Sequence, residues 1–157
     1  MKWLLNILER LDRKRIIMDR QSNEPLLTRY YLFLKDRNKF PFNIFLHKFH
    51  KSDPDDVHDH PWPYTTLILK GGYYEWIPEF NSKSEKIGEK RMWRGPGHFR
   101  VCSATSYHRI ELDPNITAWT LFMPGPQKRE WGFFVKNKWI HNEQYLNERK
   151  LNGSQTK

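Results

Sequence analysis

Cysteine is nearly absent from the 157-residue sequence. Cys102 stands alone, which excludes an intramolecular disulfide framework and any cysteine-rich zinc module. Stability must then come from ordinary burial, as in a reducing compartment. Long apolar runs are lacking as well, since none approaches the roughly 20 residues needed to span a bilayer. The opening Met1–Arg10 stretch has the outline of a signal peptide, but Asn6 and Glu9 interrupt it and no small-residue cleavage site follows. A cytoplasmic protein without a membrane partner is the expectation. Also missing are Gly-x-Gly-x-x-Gly, a Walker loop, a nucleophile elbow and a paired-carboxylate arrangement, so nucleotide-dependent, acyl-transfer and glycosidase chemistries have no support.

What the chain has in excess is rings and positive charge. Aromatic residues make up 15% (Trp 7, Tyr 7, Phe 10), so a core or pocket built from rings is expected and a disordered chain is excluded. Lys+Arg 27 against Asp+Glu 18 gives +9 at neutral pH, which favours anionic partners. The basic residues are spread along the chain without a recognised motif, so no specific nucleic-acid partner is expected.

The chain length fits one domain. Residues 1–19 read as one amphipathic helix, with Leu4, Leu8 and Leu11 on one side and Arg10, Arg13, Lys14 and Arg15 on the other. From Pro25 onward short aromatic and β-branched segments alternate with turn formers, the pattern of an antiparallel sheet protein. Strands are predicted over Leu26–Leu34, Asn43–His50, Tyr64–Leu69, Tyr73–Ile77, Gly97–Cys102, His108–Leu112, Thr117–Met123 and Trp131–Val135. Asn81–Lys90 reads as a break, Asn142–Lys150 as a short helix and Leu151–Lys157 as a frayed tail. The resulting division is an N-terminal helix and linker over 1–24, an all-β barrel or sandwich over 25–141, and a C-terminal helix and tail over 142–157.

Histidine carries the chemistry. In Val57-His58-Asp59-His60-Pro61-Trp62 the two histidines are two residues apart, so in extended backbone both imidazoles project from one face. A third nitrogen could come from His108, at the start of a later strand. Three neutral imidazoles on one side of a small ion leave its other side open.

The stretch from Ser52 to Gly72 resembles the first motif of the cupin superfamily (the RmlC-like jelly rolls), with His58 and His60 as its paired histidines and Gly71 or Gly72 as its closing glycine. The segment from Gly97 to His108 resembles the second motif. The chain is most similar to a group of small phage and bacterial cupin-like proteins with a His-Asp-His-Pro-Trp stretch and a late Arg-Glu-Trp-Gly-Phe, here His58–Trp62 and Arg129–Phe133. The resemblance implies a single double-stranded β-helix with a short helix at each end. It also implies a divalent ion, iron first with manganese, nickel or zinc as alternatives, held by His58, His60 and His108. The position of the usual motif glutamate falls on Tyr64 or Thr65, so the ion would be held by three histidines without a carboxylate, as in thiol dioxygenases. The implied function is an iron-dependent oxygenase, or a metal-assisted isomerase or hydrolase, acting on a small anionic substrate. The alternative is a non-catalytic small-molecule or nucleotide-capture module using the same barrel mouth; for the histidines themselves the alternative is a structural, hydrogen-bonded role with the metal site lost, as in some cupin-like sugar epimerases. A homodimer is a further expectation from such barrels.

Arg29 and Arg100 stand among apolar neighbours in strand-like segments and need an acidic partner or an anionic ligand. With Tyr64 and Trp119 they are the candidate substrate-binding residues. His47 would face the interior and His50 the opposite side of the same strand.

Overall fold

The computed structural model describes residues 2–19, 22–35 and 40–154. Helix α1 spans Lys2–Arg10 and helix α2 spans Asn142–Ser154. Eleven strands lie between them among the described residues: β1 Lys14–Met18, β2 Pro25–Tyr31, β3 Phe45–Phe49, β4 Tyr64–Lys70, β5 Tyr73–Phe80, β6 Lys86–Arg94, β7 Phe99–Cys102, β8 Arg109–Glu111, β9 Ala118–Pro124, β10 Gly132–Val135 and β11 Lys138–His141. Each of the eight expected strands is present. β1, β6 and β11 are additional.

The helix expected over residues 1–19 stops at Arg10 for a local reason. Asp12 adopts a left-handed backbone (φ 53°) while Arg13 N–H donates to the Leu8 carbonyl and Asp12 N–H to that of Glu9, at 2.7 and 3.0 Å. This double bond across a left-handed residue terminates a helix, and the chain turns back into β1 instead. The break expected over Asn81–Lys90 is shorter than it reads, because β6 begins at Lys86. At the other end α2 continues to Ser154, so the expected tail is helical there; residues 155–157 lie outside the described ones.

A six-stranded antiparallel sheet in the order β1-β2-β3-β9-β4-β7 faces a three-stranded sheet in the order β6-β5-β8, and β10 pairs with β11 as a hairpin. Alternation in β2, β3, β9 and β4 sends Arg29, His47, Phe122 and Thr66 to one face and Tyr30, Leu46, Trp119 and Leu67 to the other. Between the sheets, Ile68, Tyr73, Ile110, Leu112 and Ala118 form one end of the core. On the outer face, Leu8 of α1 packs on Tyr30, Leu46 and Trp119. Arg10, the one residue of the expected basic side that α1 retains, is exposed, so the helix caps the sheet. No helix among the described residues is long and apolar enough to cross a membrane.

Candidate metal centre

His58 precedes the barrel's β4 in a segment that pairs with the residue opposite it: His58 N–H donates to the His108 carbonyl at 2.9 Å and His108 N–H to the His58 carbonyl at 3.0 Å. In such a reciprocally bonded antiparallel pair both side chains leave the same face. His60, two residues on, joins them, its N–H reaching the Ala104 carbonyl at 3.3 Å. The ring centroids stand 5.4 Å apart for His58 and His60 and 5.1 Å for each of these with His108. One nitrogen from each ring lies within 4.8 Å of the others.

Between the two histidines, Asp59 points the opposite way and is fully buried. Its carboxylate accepts from Gly132 N–H at 2.7 Å and Trp139 Nε1–H at 3.1 Å and pairs with Arg129 at 2.9 Å. The alternation that aims the imidazoles inward thus ties the same segment to the β10–β11 hairpin. The Arg129–Phe133 stretch supplies two of those partners and so acts on the site through Asp59.

The residue that sequence reasoning missed is Glu75, on β5 and 2% exposed. Its Oε1 accepts from His108 Nδ1 at 2.8 Å and its Oε2 from Arg94 Nε at 2.8 Å, while Arg100 pairs with Oε2 as well. Burial pushes the Glu75 carboxyl up, but the His108 hydrogen bond and the Arg100 and Arg94 guanidiniums outweigh it and hold it at about 2. An ionised carboxylate is an acceptor only, so His108 donates to it from Nδ1 and turns Nε2 to the cavity. That nitrogen stands 2.9 Å from His60 Nε2. Either a proton or a cation must sit between two such nitrogens.

Burial, reinforced by the neighbouring imidazoles, lowers His60 well below its ordinary value. Burial likewise lowers His58 to about 4, with His108 adding to the effect and Asp53 opposing it. His58 and His60 are therefore neutral at physiological pH, as metal binding requires of them.

The cluster opens into a cavity of about 160 Å³ between the two sheets, walled by Arg29, His47, Tyr64, Thr66, Phe122 and the three histidines among others. Arg29 donates from Nε to His47 Nε2 at 3.0 Å. Burial and the Arg29 charge keep His47 well below its ordinary value, so it is a neutral acceptor that orients the guanidinium. Tyr64 lies against His60 and its hydroxyl is 3.5 Å from His108 Nε2. His50 bonds Thr28 at 2.8 Å on the other side of β3.

Two of the expected substrate-binding residues lie elsewhere. Trp119 is on the outer face of β9, stacked on Tyr30 beneath α1, because its neighbour Thr120 takes the inward position. Arg100 does face inward, but its charge is committed to Glu75 and it does not wall the cavity. Arg29 and Tyr64 do.

Several solved structures share this architecture. RemF, a polyketide cyclase from Streptomyces resistomycificus, aligns with 88% of this chain and 91% of its own at a TM-score of 0.58 and 13% identity. A cupin-2 domain protein from Rhodospirillum rubrum aligns with 87% and 80% at 0.56 and 12%. Hydroxypropylphosphonic acid epoxidase from S. wedmorenis aligns with 72% and 56% at 0.51 and 13%, so this chain spans little more than half of that enzyme; Fe(II)-HppE with the alternative substrate (S)-1-HPP aligns at 0.52. The fold is therefore the cupin jelly roll, with a short helix at each end. No protein-family model and no curated protein matches the sequence.

Proposed function

We propose that this chain is a mononuclear metal cupin in which His58, His60 and His108 hold a divalent ion, iron in the first place, and the cavity takes a small anionic substrate for oxygenase, isomerase or hydrolase chemistry. The observation that carries the reading is the convergence of His60 Nε2 and His108 Nε2 at 2.9 Å, with His108 held from behind by Glu75 at Nδ1. A buried carboxylate behind a ligating imidazole is the usual way of fixing its tautomer and raising its basicity.

An ion in this position would supply Lewis acidity and, if it is iron, redox chemistry at its open side. The chain's own residues supply the rest. Three neutral ligands leave a divalent ion its full charge, which attracts an anionic or chelating group. Arg29, held by His47, offers a second positive anchor inside the same cavity. Tyr64 and Phe122 form a stacked wall that excludes water and limits the ligand's size.

Cobalt titration tests this. Co(II) added to the metal-free protein is expected to develop intense visible absorption with a one-to-one end point, absent in a folded His60→Ala variant, and acetate is expected to perturb the spectrum less in Arg29→Gln. A protein that leaves the spectrum of aqueous cobalt unchanged would instead favour the ligand-capture reading.

A further inference from the structure

A second hollow adjoins the metal-site cavity. It has a volume of about 180 Å³ and is walled by Ile17, Met18, Leu26, Trp131, Phe133 and Leu146, with Asp53 and His58 common to both spaces. His58 thus borders both spaces, the candidate ion site and a cleft lined by residues of β1, β10 and α2. Trp131 and Phe133 both pack against the His58 ring, with centroids 6.3 and 5.8 Å from it.

Three carboxylates also line the cleft, and each is already engaged. Asp19 pairs with Lys51 at 2.9 Å, Asp55 with Arg149, and Asp53 accepts from Ile110 N–H at 2.8 Å. The rest of the lining is mostly apolar, so a hydrocarbon or aryl group would displace water from Met18, 39% exposed, and Leu146.

We infer that the ligand of this protein is bipartite: an anionic head in the cavity beside Arg29 and an apolar tail that passes His58 into the Met18–Trp131–Leu146 cleft. The head rests on the metal-site reading, while the tail site stands on the cleft alone. The class of ligand is an amphipathic carboxylate, or an acid of similar charge, carrying an alkyl or aryl substituent.

Straight-chain carboxylates from acetate to octanoate test it, with affinity read by calorimetry on the zinc-loaded protein and by intrinsic tryptophan fluorescence on the metal-free one. Burial of a methylene group corresponds to about a fourfold gain in affinity, so a rise of about two- to fourfold per carbon is expected until the cleft is filled. Met18→Ser and Leu146→Ser, neither of them a member of the histidine cluster, are expected to abolish the rise while leaving acetate unaffected. Arg29→Gln is expected to weaken every member by the same factor. Equal affinity along the series, or a rise that survives both cleft variants, overturns the proposal. A protein that holds no zinc but keeps the cleft-dependent rise in fluorescence removes the metal-site reading and supports the tail site.

Discussion

Glu75→Gln is the sharpest perturbation, because one buried carboxylate joins His108 to two arginines. The folded protein holds this carboxyl at about 2, against 4.5 when unperturbed. A tenfold change in proton affinity is worth about 1.4 kcal/mol, so the gap corresponds to about 3 kcal/mol at neutral pH. Because the folded value is the lower one, this contribution is complete above about pH 4.5 and is lost as the pH falls toward 2. Glutamine keeps the shape but removes the charge, leaving buried Arg94 and half-buried Arg100 without their counter-ion. The variant is therefore expected to lose about 3 kcal/mol in urea denaturation at pH 7 and to melt lower by about 6–12 °C. It should also lose the wild type's steep fall in stability between about pH 4.5 and 2. Metal affinity is expected to drop by about 10- to 100-fold as His108 loses its fixed tautomer. A variant within about 0.5 kcal/mol of wild type at pH 7, with the same acid profile, would refute the proposed role of Glu75.

Protons are expected to compete with a metal for His58 only as the pH approaches 4; an NMR titration of the metal-free protein that places His58 near pH 6.5 would mean an ordinary imidazole there. The metal-free protein has the matching signature. Unfolded His58 takes up a proton near pH 6.5 that the folded one refuses until about 4, so stability should decline as pH drops through that window. Asp59→Asn breaks the clasp with Arg129 and is expected to lower both stability, by about 1–3 kcal/mol, and metal affinity; unchanged affinity would uncouple the hairpin from the site. Gly132→Ala would drive a methyl group into the Ile140 carbonyl across the β10–β11 ladder, and an undiminished melting temperature would contradict that packing.

Much of the barrel was legible because its inner strands alternate cleanly: Phe45, His47 and Phe49 against Leu46 and Lys48 read as a two-sided strand, and so they fold. The strands that escaped notice lie where that signal fails. β1 is an edge strand with nearly every residue in solvent, and β6 is charged at five of its nine positions with Arg94 alone buried. β11 follows a tight turn in which Lys136 and Asn137 both take positive φ (47° and 62°), the conformation usually announced by Asn-Gly or Asp-Gly. Within the site, the spacing of His58 and His60 located the histidine cluster. Arg100 was read as needing an acid or an anionic ligand, and the acid is Glu75, a carboxylate alternating with Tyr73 and Ile77 on the inward side of β5. The partner lies 25 residues away in sequence and on the other sheet, where strand pairing alone does not announce it. Trp119 could not be assigned a side from composition, since its strand has apolar residues on both faces.

Elemental analysis of the purified protein beside a His60→Ala variant shown by circular dichroism to be folded tests the central claim most directly. About one equivalent of iron, manganese, nickel or zinc is predicted in the wild type and little in the variant. Absence of bound metal after anaerobic reconstitution with each of these ions, in a protein that remains folded, would contradict it.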